Sequence, residues 1–388
     1  MKIRAAILEE MGRQPPYAAS QPLTIDEVEL APPGRGEVLV KIAAAGLCHS
    51  DLSVIDGNRP RPMPMALGHE AAALVVETGD DVDDLAKGDH VVLVFVPSCG
   101  HCEPCATGRP ALCEPAAAAN AAGTLLSGAR RITRRGMPVH HHLGVSAFAE
   151  YATVSRRSLV KIDHNMPLEH ASLFGCAVLT GVGAVVNTAR VTAGSTVAVV
   201  GLGGVGLAAL LGAIAAGPER IVAVDLSPQK LALAKQLGAT DGFEANADAM
   251  DKIREATHGG VDFALEMAGS VKALELAYRI TRRGGTTVTA GLPPPNAMLQ
   301  VPAVNLVAEE RTLKGSYIGT SVPSRDLPRY LGLFQRGRLP VDRLLTDRLR
   351  LDQINEGFDR LREGKAVRQI ITFDGTGTSQ HFRNSRAF

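Results

Sequence analysis

The stretch from Thr196 to Asp225, TVAVVGLGGVGLAALLGAIAAGPERIVAVD, limits the choice of fold more than any other part of the chain. An apolar β-branched run, Val197 to Val200, leads into a glycine-rich turn (GLGGVG, 201–206), a helical segment of small residues and a second apolar run. Glycines allow a sharp turn and let a pyrophosphate approach the N-terminus of a helix. This strand-turn-helix-strand unit therefore predicts dinucleotide binding.

The same stretch indicates which residues would contact the dinucleotide. Asp225 lies 19 positions after Gly206, close to the roughly 20 expected for a carboxylate that hydrogen-bonds a ribose 2′-hydroxyl. The segment 195–218 contains no charged residue and is long enough for a membrane span. Because its glycines cluster at a turn and a second strand follows, we interpret it as a Rossmann unit. The turn residues expected at the cofactor are Gly201, Gly203, Gly204, Val205 and Gly206.

Composition narrows the class of protein. A chain of 388 residues is long enough for two domains, and a formal net charge of +1 offers no basic surface for nucleic acid. The N-terminal MKIRAAILEE lacks the apolar core and cleavage site of a secretory signal. We therefore expect a cytoplasmic protein that binds neither nucleic acid nor membrane. In that setting its six cysteines indicate metal binding or catalysis before disulfides.

The pattern of apolar residues changes along the chain. Up to about Val178, short apolar or alternating runs are separated by Gly, Pro and Asp, as expected for a β-rich barrel or sandwich domain. Between Cys113 and Gly144 there is little periodicity, which predicts a long surface lobe or loop. The strands predicted in this first part are Lys2–Leu8, Leu23–Leu30, Glu37–Ala44, Ala72–Glu77, His90–Phe95 and Phe148–Val154.

Beyond Val178, strands alternate with helices, which predicts a doubly wound parallel sheet. Ser227 followed by Pro228 is typical of a helix N-terminus. Residues 374–388 lack periodicity and are predicted to form a mobile tail. The later elements predicted are strands at Val261–Glu266, Thr286–Ala290 and Val367–Phe373 and helices at Val271–Ile280, Leu327–Gln335 and Leu351–Arg362.

Four cysteines lie within a fifteen-residue segment, at Cys99, Cys102, Cys105 and Cys113. Thiolates at this spacing can surround a zinc ion tetrahedrally and stabilise a loop too short for a core of its own. Two disulfides or four unrelated thiols are the alternatives, which a reducing compartment and the clustering disfavour. His101 lies inside the cluster but is not needed as a ligand, so we expect a solvated side chain.

The other two cysteines, Cys48 and Cys176, are far apart in sequence. Cys48 lies in GLCHSD, His69 lies 21 residues later in LGHE, and Cys176 lies in FGCAVLTG before the glycine-rich unit. Two cysteines and a histidine are the protein ligands of an open catalytic zinc site, although a single buried cysteine is usually a small apolar residue. The two candidate sites together use all six cysteines, which favours the catalytic site.

Taken in order, these motifs closely resemble the zinc-dependent medium-chain alcohol dehydrogenases over residues 1 to about 373. They are GLCHSD, GHE, the Cys99–Cys113 cluster, FGCAVLTG, VGLGGVG, VDLSPQK and AVRQIITF. The resemblance implies an α/β protein with a GroES-like β-rich catalytic domain (1–177 and 318–388) and a Rossmann cofactor domain (178–317). The segment between Cys113 and Gly144 looks like the class I and class III branch, whose members are mostly dimers. We therefore expect a homodimer, with the tetramer of shorter relatives as the alternative.

The resemblance also implies roles for residues that match the family's motifs. A zinc ion on Cys48, His69 and Cys176 would bind the alcohol, and hydride would pass from its carbon to the nicotinamide. The catalytic residues would be Ser50 and His49 in the proton path, Asp51 as the residue that orients His69, and Glu70 near the metal. The cofactor would contact His49, Thr180, Val205, Asp225, Lys230, Leu292 and Arg368, and the substrate pocket would include Leu52, Phe95 and Ile318.

Several residues depart from the family's pattern. Ser53 stands where many animal members carry the histidine that completes the proton relay, so water or His49 would have to complete it here. Arg59, Arg61 and Ala117 occupy the places of two acidic residues and an arginine that bind the adduct in glutathione-dependent formaldehyde dehydrogenases. Their presence argues against that substrate.

Some candidates also have a purely structural interpretation. Ser50 could be a turn residue, Phe95 part of the core, and Arg368 a surface cation. Adjacent histidines seldom converge on one ion, so the run 140–142 is not expected to form a third metal site. The lobe also carries four arginines, which are expected in a solvated loop: Arg130, Arg131, Arg134 and Arg135. The alternative is that they act with Arg59 and Arg61 to attract anionic alcohols or aldehydes.

The sequence therefore predicts an oxidoreductase that uses two zinc ions per chain and NAD to interconvert an alcohol with an aldehyde or ketone. NAD rather than NADP follows from Asp225, whose charge would repel a 2′-phosphate. A non-catalytic nucleotide-binding homologue of the same fold is the alternative, although such proteins usually lack the catalytic ligands. The motifs do not identify the alcohol, because folding assembles the pocket from distant side chains.

Overall fold

The structure is a computed structural model that describes residues 1–373. The tail predicted for residues 374–388 lies outside this range. Within it the strands, numbered in chain order, are β1 (Lys2–Leu8), β2 (Leu23–Leu30), β3 (Glu37–Gly46), β4 (Met65–Ala66), β5 (Ala71–Thr78), β6 (His90–Leu93), β7 (Ile132–Arg134), β8 (Met137–His141), β9 (Tyr151–Ser155), β10 (Leu159–Ile162), β11 (Thr196–Val200), β12 (Arg220–Asp225), β13 (Asp241–Glu244), β14 (Val261–Glu266), β15 (Thr281–Thr289), β16 (Thr312–Gly315), β17 (Leu345–Leu349) and β18 (Arg368–Thr372).

Helices are short in the β-rich part of the chain and longer after residue 200. The α-helices within residues 1–373 are α1 (Tyr17–Ser20), α2 (His49–Ile55), α3 (Glu103–Ala106), α4 (Glu114–Ala122), α5 (Leu168–Ala171), α6 (Ala177–Gly183), α7 (Gly204–Ala216), α8 (Pro228–Leu237), α9 (Ala249–Ala256), α10 (Val271–Ile280), α11 (Ala303–Ala308), α12 (Pro323–Gln335) and α13 (Ile354–Arg362). Short 3₁₀ segments lie at Pro110–Leu112, Arg156–Ser158, Ser172–Phe174, Ile318–Thr320, Val341–Leu344 and Leu351–Gln353, and a π-helical turn lies at Ala184–Ala189.

The β-rich part consists of a closed barrel and a larger sheet. The barrel joins its strands in the order β1-β2-β7-β8-β4. The larger sheet has the order β10-β6-β5-β3-β18-β17, and β9 pairs with β3 off this path. β18 lies antiparallel to β3. The last described strand, β18, therefore belongs to the same sheet as the N-terminal strand β3.

A second sheet contains six parallel strands in the order β13-β12-β11-β14-β15-β16. The apolar runs of the sequence form β11 and β12 at its centre, where both faces are covered and nearly every side chain is buried. Helix α7 begins at Gly204, within the glycine-rich segment 201–206 that follows β11. The predicted combination of a β-rich domain with a doubly wound parallel sheet is confirmed.

The segment between Cys113 and Gly144 was predicted to form a long surface lobe or loop, and the loop alternative is wrong. The segment contains α4 and a hairpin of β7 and β8, which pairs with β2 and β4 and completes the barrel. The strands have only three and five residues, too few to give a periodic signal. The helix is built almost entirely of alanine, which favours a helix but leaves no apolar stripe to detect.

Other element boundaries differ slightly from the prediction. The strand predicted to reach Phe95 ends at Leu93, so the Phe95 side chain is carried by a loop. Helix α12 begins at Pro323, four residues before the predicted start, because proline fits the first turn of a helix. The predicted helix at 351–362 is divided into a 3₁₀ turn and α13.

Helix α13 of the C-terminal segment forms hydrogen bonds with residues near the N-terminus of the chain. The Asp359 carboxylate accepts hydrogen bonds from the N–H groups of Tyr17 (2.7 Å) and Ala18 (2.8 Å), which have no partner within the short helix α1. The ring of Phe358 packs edge-on against Phe148 with ring centroids 6.0 Å apart. Both phenylalanines are buried, so this contact contributes to the core of the β-rich domain.

No single helix within residues 1–373 has the length and apolar character to cross a membrane. A pair that passes the same test together, Leu168–Phe174 and Ala177–Ala189, is bent by 49°. The uncharged segment 195–218, which suggested a span, is divided between β11 and α7.

We expect Phe358→Ala to lower the free energy of unfolding by about 3–5 kcal/mol, because it removes a fully buried ring and leaves a cavity. Guanidinium-induced unfolding followed by circular dichroism measures this. Leu226→Ala is the control, since that side chain is 73% exposed, and its effect should stay within about 0.5 kcal/mol. Equally small effects of the two substitutions would contradict the packing of α13.

Candidate active site

The glycine-rich turn lies between β11 and the N-terminus of α7. Gly201 has a φ of +93°, and a Cβ atom on Gly206 would lie 1.8 Å from the carbonyl oxygen of Gly201. Neither position accepts a side chain. A Cβ atom on Gly203 would meet no atom within 4 Å. The turn therefore presents bare backbone to open space at a helix N-terminus, an arrangement that fits a phosphate group.

A cleft of about 420 Å³ runs over this turn. On one wall, the Asp225 carboxylate accepts hydrogen bonds from the N–H groups of Leu202 (2.6 Å) and Ser227 (2.9 Å). These bonds fix the carboxylate at the carboxyl end of β12, where this type of fold binds the ribose of a dinucleotide. The lining of the cleft also includes Cys48, His49, Ser50, Ser53 and Arg368.

Cys48, His69 and Cys176 come together beside the cleft, with their ligand atoms within 4.8 Å of one another. They lie in the residues just before α2, β5 and α6, so three separate elements position them. The Nε2 atom of His69 is buried and has no hydrogen-bond partner among the described residues. Two sulfur atoms and an unpartnered ring nitrogen form a zinc ligand set with one open position, so these residues fit a catalytic zinc ion.

Two further side chains hold His69 in this orientation. Its Nδ1 atom lies 3.1 Å from the Asp51 carboxylate, which leaves Nε2 for the metal. The Nδ1 atom of His142 lies 3.0 Å from the same carboxylate, and the N–H group of Gly68 donates to it at 3.1 Å. Burial acts to raise the pKa of Asp51, but the neighbouring His69 and His142 outweigh it and hold that pKa below its usual range.

A buried ion pair between Glu70 and Arg368 lies next to the metal ligands. Burial raises the pKa of Glu70 to about 7, although the positive charge of Arg368 acts in the opposite direction. A Cβ atom on Gly204 would lie 2.5 Å from Cδ of Arg368, and one on Gly46 would lie 2.9 Å from its Nη2. The absence of side chains at these two glycines therefore makes room for the arginine against the glycine-rich turn.

The four clustered cysteines form a second candidate metal site. The Sγ atoms of Cys99 and Cys105 are 4.0 Å apart, and those of Cys102 and Cys113 are 3.9 Å apart. A zinc tetrahedron with Zn–S distances of about 2.3 Å separates its sulfur atoms by about 3.8 Å, whereas a disulfide separates them by about 2 Å. The arrangement thus fits zinc and not disulfides. His101 is exposed and contacts only the carbonyl oxygen of Cys99 among the described residues.

The structure brings most of the remaining predicted residues to the cleft, but not all of them. Thr180 and Gly206 are buried behind it, and Leu52 and Ile318 are buried outside its lining. Phe95 lies next to His69, with ring centroids 5.3 Å apart. The predicted residues on the cleft wall are His49, Ser50, Gly201, Gly203, Gly204, Val205, Asp225, Lys230, Leu292 and Arg368.

The three adjacent histidines face three different partners. Nδ1 of His140 lies 3.3 Å from the carbonyl oxygen of Ala122, and Nδ1 of His141 lies 3.2 Å from Oγ of Ser146. Burial lowers the pKa of His141 to about 4. His142 instead faces Asp51, as described above, so it supports a metal ligand.

The expectation that the lobe arginines lie in a solvated loop is wrong for two of the four, whereas Arg130 and Arg135 are exposed. Arg131 forms an ion pair with the buried carboxylate of Glu37 at 2.7 Å, and Arg134 pairs with Asp26 at 2.6 Å. The barrel hairpin holds their side chains against the β-rich domain, and only 16% of the Arg134 side chain is exposed. They do not line the cleft.

Besides His142, two further residues near the site were missed from the sequence. The ring of Tyr317 lies edge-on to Phe95 with centroids 6.2 Å apart, and Nδ2 of Asn120 donates to the carbonyl oxygen of Phe95 at 2.8 Å. Tyr317 directly precedes Ile318, which was selected, so its position was a usable signal. Nothing in the alanine-rich segment around Asn120 marks it as a neighbour of the metal ligands.

Comparisons with known proteins identify the family. Residues 34–164 match the alcohol dehydrogenase GroES-like domain, and residues 204–336 match the zinc-binding dehydrogenase domain. An alcohol dehydrogenase zinc-binding domain protein from Burkholderia ambifaria is 36% identical, with a TM-score of 0.90 over 96% of this chain and 99% of that one. The chain belongs to the zinc-dependent medium-chain alcohol dehydrogenases. The predicted GroES-like and Rossmann folds are thereby confirmed.

Two other members of this alcohol dehydrogenase family bear on the site. The benzyl alcohol dehydrogenase of Acinetobacter calcoaceticus is 34% identical, with a TM-score of 0.89 and coverage of 96% of this chain and 99% of that one. A zinc-binding dehydrogenase from Sinorhizobium meliloti, solved with NADP bound, is 26% identical, with a TM-score of 0.77 and coverage of 96% and 100%. The family therefore includes proteins that bind the phosphorylated dinucleotide.

We expect His142→Phe to weaken zinc binding at Cys48, His69 and Cys176 by about 10- to 100-fold, because Asp51 would lose a polar partner and hold His69 less firmly. Competition with a chromogenic chelator measures the affinity. His140→Phe is the matched control and should change it less than about threefold, since His140 does not contact the site. A folded His142→Phe protein with unchanged zinc affinity would show that the histidine has no part in holding the ligand.

Proposed function

We propose that this alcohol dehydrogenase transfers hydride between an alcohol and NAD, with the alcohol held at a zinc ion bound by Cys48, His69 and Cys176. The observation that carries the proposal is the convergence of these three side chains beside a cleft that contains the glycine-rich turn. When bound, zinc supplies Lewis-acid chemistry that lowers the pKa of a hydroxyl group, and the nicotinamide supplies the hydride acceptor.

The residues of the chain bind, orient and deprotonate the substrate. Asp51 fixes the ring of His69, as its 3.1 Å contact with Nδ1 supports. Ser50 lies in the first turn of α2 and lines the cleft next to Cys48, so its Oγ relays the proton: it accepts the hydroxyl proton of the alcohol as it gives up its own proton to His49. The Oγ of Ser53 donates to the carbonyl oxygen of His49 at 2.9 Å, so its proton is already engaged. His49, with an exposed side chain at the cleft, passes the proton to solvent.

The preference for NAD over NADP is supported by Asp225. Both of its oxygen atoms are held by backbone N–H groups, so the carboxylate is fixed on the cleft wall. A 2′-phosphate on the ribose would place a second negative charge beside it, which is unfavourable.

A non-catalytic nucleotide-binding homologue is the alternative. Such a protein has no need for Cys48, His69 and Cys176 to converge, and no need for a buried, unpartnered Nε2 atom on His69. The number of bound zinc ions and the formation of NADH separate the two functions.

We expect the purified protein to bind two zinc ions per chain. The His69→Ala variant should bind one, because the catalytic ligand set loses its ring nitrogen. Its rate of NADH formation from alcohols should fall at least about 1000-fold. Elemental analysis and absorbance at 340 nm measure the two quantities. His101→Ala is the control within the other cluster and should retain both ions. Two ions in His69→Ala, or undiminished NADH formation, would contradict the assignment.

We expect Asp225→Ala to reduce kcat/KM for NAD at least about tenfold and to raise it for NADP, because the substitution removes both a partner of the ribose hydroxyls and a repulsive charge. Initial rates with each dinucleotide at a saturating alcohol concentration test this. If the native protein used NADP as well as NAD, or if the substitution left the ratio unchanged, the assignment of Asp225 would be wrong.

A further inference from the structure

Within residues 1–373, two arginines near the candidate metal ligands have no acidic partner. Arg59 and Arg61 follow α2 and are half-buried. Nη2 of Arg59 donates to the carbonyl oxygen of Leu292 at 3.2 Å, and Nη1 of Arg61 donates to that of Asn120 at 3.3 Å. The Nε atom of Arg61 is buried without a hydrogen-bond partner among the described residues. In the described part of the chain, the hydrogen bonds of these two neighbouring guanidinium groups therefore go to backbone carbonyl groups.

Three other partly or fully buried arginines are neutralised by a carboxylate. Arg131 pairs with Glu37, Arg134 pairs with Asp26, and Arg368 pairs with Glu70. Burying an unpaired charge is unfavourable, so a protein normally supplies such a partner. Partial burial and the charge of Arg61 lower the pKa of Arg59, and an arginine still keeps its charge at neutral pH. A site of this kind suits an anion that comes from outside the chain.

Two aromatic rings, Phe95 and Tyr317, connect the candidate metal ligands with the surroundings of the arginine pair. The ring of Phe95 is edge-on to His69 on one side, at 5.3 Å, and edge-on to Tyr317 on the other, at 6.2 Å. Asn120 joins Phe95 to Arg61, since its amide donates to Phe95 and its carbonyl oxygen accepts from the arginine. Burial and Cys176 raise the pKa of Tyr317, whereas Arg61 and Arg59 lower it. The hydroxyl of Tyr317 is thus within electrostatic reach of both groups.

We propose that Arg59 and Arg61 bind a carboxylate group of the substrate, so that the enzyme acts on alcohols or aldehydes that carry a carboxylate beyond an apolar spacer. This rests on the proposed function, because the hydroxyl end of the same molecule lies at Cys48, His69 and Cys176. Phe95 and Tyr317 contact the spacer. Guanidinium groups suit a carboxylate because two N–H groups can donate to its two oxygen atoms.

From the sequence, the lobe arginines were considered to attract anionic substrates together with Arg59 and Arg61. The proposal assigns binding of the carboxylate to Arg59 and Arg61 only. The lobe arginines Arg131 and Arg134 already have acidic partners in the barrel. Binding of cofactor phosphate by Arg59 is the competing explanation, since Arg59 also lines the cleft. A comparison of charged and neutral substrates separates these explanations.

The test uses pairs of alcohols that differ in charge but hardly in size: 3- and 4-(hydroxymethyl)benzoate against the corresponding benzamides, and 4-hydroxybutanoate against 4-hydroxybutanamide. For at least one pair we expect the native enzyme to have a kcat/KM at least about tenfold higher for the carboxylate. In Arg59→Gln/Arg61→Gln this preference should fall at least about tenfold, with no increase in KM for NAD. The double lysine variant, which keeps the charges, should retain a preference for the carboxylate.

Arg135→Gln is the matched control, because its side chain is 81% exposed on the barrel hairpin, and it should leave the preference unchanged. The proposal is overturned if no pair shows a preference, or if the glutamine variant raises KM for NAD and slows both members of a pair equally. Absence of NADH formation from every alcohol, charged or neutral, would instead contradict the proposed function. Whether any pair shows a preference is measured on the native enzyme, so this part of the test does not depend on the folding of a variant.

Discussion

The buried ion pair of Glu70 and Arg368 joins the parts of the molecule on which the site depends. Glu70 follows the metal ligand His69, Arg368 begins the strand that returns to the β-rich sheet, and the arginine packs on the glycine-rich turn. Removing either partner would leave an uncompensated buried charge, which typically costs about 3–5 kcal/mol. The position of the glycine-rich turn relative to Cys48, His69 and Cys176 is therefore linked to one charged contact.

The site combines rigid support with an open face. Asp51 and His142 support His69, and Cys48 and Cys176 lie directly before helices α2 and α6. On the open side, the cleft exposes bare backbone at Gly203 and a fixed carboxylate at Asp225. Side chains that orient a ligand are thus buried and paired, whereas the groups that would meet cofactor and substrate remain accessible.

The sequence predicted the features that local patterns encode. The glycine-rich unit, both cysteine sets and the alternation after Val178 have fixed spacing, and the family and fold follow from them. It did not predict the barrel hairpin, whose strands are stabilised by pairing with distant strands and not by their own periodicity. For the same reason His142, Asn120 and Tyr317 were not recognised at the site, because only folding brings them next to residues far away in the chain.

The central claim is that hydride passes directly from the carbon of the alcohol to the nicotinamide bound at the glycine-rich turn. The most direct test follows deuterium from 4-(hydroxymethyl)benzoate that carries two deuterium atoms on its alcohol carbon. With NAD as acceptor, the account predicts one deuterium at C4 of the nicotinamide in the NADH formed, detected by NMR and mass spectrometry, and none in the water. Unlabelled NADH, with deuterium released to solvent, would contradict it.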